Sequence, residues 1–167
     1  MAAIWVYLET KGQALSKGSL EALGEARRQA EATGGTVTAL LIGAGVAPLA
    51  ATAGAQGADR VVLAEDAAHA DFNLEVHTQL AIRALGSGEA ELLLMTVSTH
   101  TRELAARLAA HFGAGLAADC VELTRVGGEQ LFKRPIYAGK IFETVALAGK
   151  PAIATLRPNN FAALAPD

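Results

Sequence analysis

A chain of 167 residues, 51% hydrophobic and 19% charged, is long enough to bury one core without covalent staples and too apolar to be disordered. Its formal net charge of -3 leaves no surplus of Lys and Arg to neutralise a phosphate backbone, which excludes a general nucleic-acid binder. The single cysteine, Cys120, excludes an intramolecular disulfide and a Cys-rich zinc site, and reads as a buried small hydrophobe.

The chain opens on "MAAIWVYLE", which carries no basic segment ahead of its apolar run. No signal or transit peptide is expected, and a reducing intracellular compartment fits. Four apolar runs of strand length follow one another: "IWVYLE" (4–9), "VTALLIG" (37–43), "RVVLAE" (60–65) and "ELLLMTV" (91–97). Their apolarity is continuous rather than alternating, the pattern of strands covered on both faces, as in a parallel sheet. From Val37 to Ala58 no charge occurs for 22 residues, long enough to cross a bilayer. Gly43, Gly45, Pro48, Gly54 and Gly57 interrupt it, so a buried strand, a loop and a small-residue helix are expected instead of a membrane span.

Between the runs lie amphipathic segments. Ser19 can cap a helix over "LEALGEARRQAEA", with Leu20, Leu23, Ala26 and Ala30 on one face and Gly34-Gly35 ending it. Asn73 or Asp71 can cap "LEVHTQLAIRAL", whose Leu74, Leu80, Ala81 and Leu85 face the sheet. In "STHTRELAARLAAHFGAG", Thr99 or Thr101 is the expected cap, Leu104, Leu108 and Phe112 the stripe, and Gly113 the stop. The order βαβαβαβα predicts a three-layer α/β/α Rossmann-like fold with a mostly parallel sheet and right-handed crossovers. The last third changes character. Gly127-Gly128 between "ADCVELTRV" and "EQLFKRPIYAG" predicts a C-terminal β-hairpin, followed by "KIFETVAL" and "AIATLRP".

Recognisable catalytic or cofactor motifs are few. Gly43-Ala44-Gly45 follows a strand, but Pro48 stands where a dinucleotide fingerprint needs its third glycine, so a tight turn is expected. The loop Ser98-Thr99-His100-Thr101-Arg102-Glu103 offers a helix start with Arg102 nearby for an anion, or a plain cap. His69, His77, His100 and His111 lack metal-ligand spacing; His77 and His111 are expected on helix surfaces or flanks. Glu65-Asp66 and Glu89-Glu91 read as solvated turn charges. Neither a catalytic set nor a metal site is expected.

Three of the eight aromatic residues, Phe132, Tyr137 and Phe142, fall within eleven positions around "FKRPIYAGK". Pro135 restrains Arg134 to an extended conformation and Gly139 permits a sharp bend. Either a packed strand exit or a contact surface would account for this cluster.

The run "FKRPIYAGKIFETV" with the later "IATLRPNNF" resembles the F-x-R-P-I-Y-A-G-N-A-x-x-T-V … T-x-R-x-x-x-F signature of the electron transfer flavoprotein alpha subunit. "VYLE" and "TRELAARLAAHFGAGLAADCVEL" resemble that family's opening strand and a later helix and strand. Lys140 departs from the usual Asn. The resemblance implies an adenine nucleotide alpha hydrolase-like N-terminal domain over 1–158, with 159–167 beginning a linker to a C-terminal FAD domain outside this sequence. It implies no cofactor-binding residue here, FAD only in the full alpha/beta complex, and no enzymatic activity of the domain itself. Implied partners are the beta subunit, the FAD domain and, indirectly, acyl-CoA dehydrogenases of fatty acid β-oxidation and a quinone oxidoreductase. The implied place is the bacterial cytoplasm, or the mitochondrial matrix in a eukaryote. Arg134, Tyr137, Gly139, Arg157 and Phe161 would shape the partner or interdomain surface. The competing reading is a stand-alone universal-stress-like module binding an adenine nucleotide.

Overall fold

A computed structural model describes residues 2–86 and 90–165. Glu89, Pro166 and Asp167, on which expectations above fall, lie outside the described residues. Six strands form one sheet: β1 (Ala3–Leu8), β4 (Thr36–Gly43), β5 (Arg60–Glu65), β6 (Ala90–Thr96), β7 (Leu116–Cys120) and β11 (Ala152–Leu156). Their order is β5-β4-β1-β6-β11-β7, and every neighbouring pair is parallel. The four apolar runs form four strands of this sheet, but only β1, β4 and β6 are covered on both faces as expected; β5, at the sheet edge, stays half-exposed with Leu63 in water, and "AIATLRP" supplies a fifth that enters the interior of the sheet. Between β1 and the first helix, β2 (Thr10–Lys11) and β3 (Ala14–Leu15) form a two-stranded ribbon turning at Gly12, whose φ is 63°.

Alternation along β1 sends Ile4, Val6 and Leu8 to one face and Trp5 and Tyr7 to the other, all buried. The first face packs under helix α1 (Lys17–Thr33) and Ala53 of the short helix α2 (Leu49–Ala55). The second packs under α3 (Leu74–Gly86) and α4 (Thr99–Phe112). Leu23, Ala26 and Ala30 of α1, Ala81 and Leu85 of α3, and Leu104 and Leu108 of α4 lie in these cores, as their spacing predicts. The 22 uncharged residues fold as β4, a loop and α2, and no helix among the described residues is long and apolar enough to cross a membrane.

Two caps differ from expectation. Ser16, not Ser19, caps α1, its hydroxyl accepting from Ser19 N; the Ser19 hydroxyl instead donates to the Glu9 carbonyl (3.0 Å) and accepts from Glu9 N (2.8 Å). Ser98, not Thr99 or Thr101, caps α4, in a reciprocal box in which the Thr101 hydroxyl accepts from Ser98 N. In each case the cap is a hydroxyl one to three residues upstream of the expected one, because cap identity depends on where the backbone turns into the helix. Asn73 caps α3 through Val76 N (3.1 Å), and Gly34 and Gly113 end α1 and α4 in the left-handed conformation.

The hairpin acquires a third strand. β8 (Glu122–Val126), β9 (Glu129–Ile136) and β10 (Ile141–Ala146) make an antiparallel meander, with Gly127 and Gly128 at positive φ in the first turn. Leu123 and fully buried Phe132 anchor it to the core on the α1 side. After β11, residues 159–165 run back along α1. Asn159 N donates to the buried carboxylate of Glu21 (2.8 Å), Lys17 Nζ to Asn159 Oδ1 (2.6 Å), and Phe161 packs on the core.

Gly24 of α1 gives that returning segment its room: a Cβ there would stand 2.2 Å from the Ala162 carbonyl oxygen, whereas one on Gly54 of α2 would meet nothing. Gly54→Ala is therefore expected to stabilise the chain by about 0.5–1 kcal/mol through the unfolded state. Gly24→Ala is expected to destabilise it despite the same propensity gain. Urea unfolding midpoints decide; a stabilised Gly24→Ala would mean that residues 159–165 do not lie on α1.

Candidate functional site

Strand order reverses beside β1: β4 and β5 lie on one side, β6 on the other. Open α/β sheets bind ligands past the carboxyl ends of their strands at such a switch point. Here a cleft of about 640 Å³ opens against Tyr7–Glu9 at the end of β1, Ile42–Gly43 at the end of β4, the Gly12-Gln13 ribbon, and His69, Asp71, Phe72, His77 and His100. The expected Gly43-Ala44-Gly45 turn forms part of its wall, with Gly45 at φ 67°.

His77 is a correction to the sequence reading. It sits on α3 but is buried, 4% exposed, with its Nδ1 2.7 Å from the Tyr7 hydroxyl. The partner lies 70 positions away in the chain, so no local pattern could reveal the pairing. Burial pushes the Tyr7 phenol well above its ordinary range, so the hydroxyl keeps its proton. Burial first, then His69 and His100, pull His77 down to about 4 and hold it neutral near pH 7. Phe72 leans on His77 and stacks face to face on His100 at 4.1 Å.

Glu9 lies at the start of α4. Its Oε1 accepts from the Ser98 hydroxyl (2.9 Å) and stands 3.6 Å from His100 Nδ1. Partial burial raises its pKa, and the Ser98 bond and His100 oppose that rise. A helix N-terminus at this place is where a phosphate would bind. Here the Glu9 carboxylate stands beside that helix start, on the Ser98 cap hydroxyl, and neither Lys nor Arg lines the cleft. A nucleotide phosphate or the pyrophosphate of FAD does not fit such a lining. That arrangement speaks against a nucleotide phosphate in this cleft, as the adenine-nucleotide module would place one.

The five expected surface residues divide. Arg134 on β9 faces Glu143 across the ladder, Nε to Oε1 at 3.5 Å. Tyr137, 74% exposed, and Gly139 sit in the β9–β10 turn, beside exposed Ile141 and Phe142. The packed strand exit therefore holds for Phe132 alone, and Tyr137 and Phe142 stand outside the core. Tyr137, Ala138 and Gly139 all have positive φ, 49°, 56° and 83°. For the first two that conformation costs on the order of 1 kcal/mol each. Pro135 is accommodated because β8 pairs β9 only as far as Lys133. Lys133 O accepts from Val121 N on the β8 side (2.8 Å), and two residues on Pro135 points the same way, past the end of β8.

Arg157 and Phe161 lie elsewhere. Arg157 forks onto Asp119 through Nε (3.0 Å) and Nη2 (2.5 Å). Asp119 has φ 63° where the β11–β7 register shifts, and its N–H bonds Thr155 Oγ1 (2.9 Å). Phe161 packs on α1's core, as described. Cys120 is buried, and burial pushes its thiol up to about 12, which leaves it inert. His111 is exposed; Glu65 accepts from Ala47 N and Asp66 caps a short 3-10 turn, Ala67–His69. Among the described residues no cluster of His, Cys, Asp and Glu could hold a metal ion.

The family model "Electron transfer flavoprotein domain" matches residues 4–167. The electron transfer flavoprotein subunit alpha of Syntrophomonas wolfei is 32% identical over 95% of this chain and 49% of its own length. Protein FixB of Clostridium saccharobutylicum is 32% identical over 95% of this chain and 48% of its own. The electron transfer flavoprotein subunit alpha of Bacillus subtilis is 32% identical over 80% and 41%. The chain spans about half the length of the curated relatives it matches.

Buried, neutral His77 gives stability a pH dependence. Between about pH 6.5 and about 4 the unfolded chain takes up a proton at residue 77 that the folded chain refuses. Stability is therefore fully present above pH 6.5 and declines as pH falls toward 4, by on the order of 2 kcal/mol after solvent screening at the cleft mouth. Glu9, with its raised pKa, acts in the opposite sense. In a Glu9→Gln background, urea unfolding at pH 7 and pH 4.5 should show a decline that His77→Gln flattens; equal declines with and without His77 would contradict the assignment.

Proposed function

This chain belongs to the electron transfer flavoprotein family, and we propose that it is the N-terminal scaffold domain of an alpha subunit. In this reading it forms, with a beta subunit, the base on which a separate FAD domain sits. Residues 1–158 make the domain, and the segment from 159 onward leads toward the FAD domain after crossing α1. The whole complex carries electrons from acyl-CoA and related dehydrogenases to a quinone oxidoreductase in a bacterial cytoplasm. The domain itself performs no catalytic step.

The observation that carries this reading is the β9–β10 tip. Tyr137, Ile141 and Phe142 leave 74%, 52% and 53% of their surfaces exposed on one turn of the segment that bears the family signature. Three consecutive residues at positive φ hold that turn in a shape that a random surface loop has no reason to maintain. Aromatic and aliphatic groups displayed on a rigid, strained edge are what a protein interface uses as anchors. Arg134, held by Glu143 next to the tip, supplies the charged rim, and Gly139 the bend. Arg157 and Phe161 lie away from the tip and act on the frame: the first holds the β7–β11 junction through Asp119, the second packs the outgoing chain on the α1-side core. Glu9 at the start of α4 supports placing FAD outside these residues.

Two measurements test the reading. The purified 167-residue chain is expected to be colourless; stoichiometric bound flavin would overturn the placement of FAD. In the complete alpha chain, Tyr137→Ala, Phe142→Ala and Arg134→Ala should each weaken binding of the beta subunit, the aromatics by roughly tenfold or more. Unchanged affinity and flavin retention in all three would remove the tip from the interface.

A further inference from the structure

Four strands stand at the edges of the two larger sheets: β5 and β7 of the parallel sheet, β8 and β10 of the meander. β5 carries Arg60 and Glu65 at its ends, β7 breaks register beside Asp119, and β8 carries Glu122 and Arg125. Charges and irregular backbone of this kind keep an edge from pairing with another chain. β10 is different. It runs in unbroken register from Ile141 to Ala146 without proline, and its one charged residue, Glu143, is engaged with Arg134 of β9.

The ladder fixes which backbone groups β10 leaves open. Lys133 O accepts from Val121 N on the β8 side, so the backbone of Lys133 turns away from β10. Thr144, opposite Lys133, therefore forms a non-hydrogen-bonded pair with it and aims its own N–H and C=O outward. Phe142 and Ala146, the next residues but one on either side, aim theirs the same way. All three are exposed, and among the described residues none has a backbone partner beyond the meander. This row of donors and acceptors is symmetric about Thr144. Laid antiparallel on a second β10, with Thr144 opposite its own copy, Phe142 falls opposite Ala146 and Glu143 opposite Val145. Every outward N–H then meets an outward C=O, no like charges face each other, and the exposed ring of Phe142 gains a neighbour on the outer face. Pairing of β10 with a different edge of another molecule leaves an edge open at each end and runs on as a filament, whereas self-pairing closes.

We propose that β10 is a docking edge for a second copy of this chain, which pairs antiparallel about Thr144 and joins the two three-stranded meanders into one continuous sheet. The inference does not rest on the electron-transfer reading. A contact limited to one strand edge and its flanking side chains is small, so the dimer is weak and reversible, with a Kd of about 10 µM to about 1 mM. Thr144 sets the register, because it is the residue that meets itself.

Sedimentation equilibrium of the 167-residue chain across that concentration range should show reversible passage from monomer to dimer. In amide hydrogen exchange, Phe142, Thr144 and Ala146 should gain protection as concentration rises, and Arg125 on the opposite edge should not. Thr144→Glu sets like charges face to face across the symmetry axis and should weaken the dimer by about tenfold or more. Thr144→Lys should do the same, and an equimolar mixture of the two variants should dimerise at least as well as the parent chain. Thr144→Pro removes a donor that β9 does not use and should also weaken the dimer. Thermal transitions check folding; if Thr144→Lys folds poorly beside Lys133, Thr144→Glu and Thr144→Pro decide. A chain still monomeric at about 1 mM overturns the proposal. So does a dimer that Thr144→Glu leaves intact, which would lie on another face, or growth into open polymers, which would mean pairing between unlike edges. If the chain is monomeric and Thr144→Pro instead weakens binding of the beta subunit, the edge belongs to that partner and the proposal fails. The beta-subunit reading is scored separately through Tyr137→Ala, so the two fail independently.

Discussion

The sheet is completed only by a strand that arrives last. β11 inserts between β6 and β7, and without it β7 would have no partner in the sheet, because helix α4 precedes it in sequence and the strand that follows, β8, belongs to the meander. Ile153, Ala154 and Leu156 of β11 are buried on both faces, so its entry joins the two cores. Everything between Val121 and Pro151 is an excursion made while that place stands open. The excursion is free to grow into a three-stranded sheet because its two ends are fixed a single strand apart.

That constraint explains why unusual backbone collects at this edge. A strand inserted between two others must match both registers at once, and the mismatch appears as the shift between Ala154 and Leu156 against β7. Asp119 absorbs it at φ 63°, and the Arg157 fork and the Thr155 hydroxyl hold it there. The pair is half-exposed and contributes at most about 1 kcal/mol by itself. Its effect is to hold Asp119 at the register shift. The meander inherits a fixed orientation from that junction, through Phe132 and Leu123 in the α1-side core. A surface tip carrying Tyr137 and Phe142 is useful as a contact only if its base is fixed in this way.

How much of this could be read from the sequence varied with the distance over which each feature is determined. Apolar runs and 3.6-residue stripes are local, and the strands and helix faces drawn from them stand as observed. The place of β11 is not local: "AIATLRP" is a strand wherever it lies, and only the pairing with β6 and β7 makes it interior. Helix starts fell between, since Ser16 and Ser98 each have a second hydroxyl nearby that competes for the cap. His77 was the hardest case. Its neighbours on α3 are polar enough for a surface position, and the Tyr7 hydroxyl that draws it inward belongs to a strand far upstream. The aromatic cluster at 132–142 was legible as a cluster, whereas its division between a buried anchor and an exposed tip needed the strand's two faces.

The two special regions also differ in how the chain treats unsatisfied chemistry. At the tip, apolar surface is left out in water and the backbone is held against its own preferences, a state that a partner surface can relieve by covering it. At the switch point Glu9 stands beside the helix start that a Rossmann-like sheet commonly gives to phosphate, and two imidazole nitrogens of cleft residues have no partner among the described residues. An internal carboxylate at a helix start removes an anion site at the level of electrostatics while leaving the cavity's volume intact. A single acidic side chain at the end of β1 thus separates the shape of a nucleotide fold from its usual affinity.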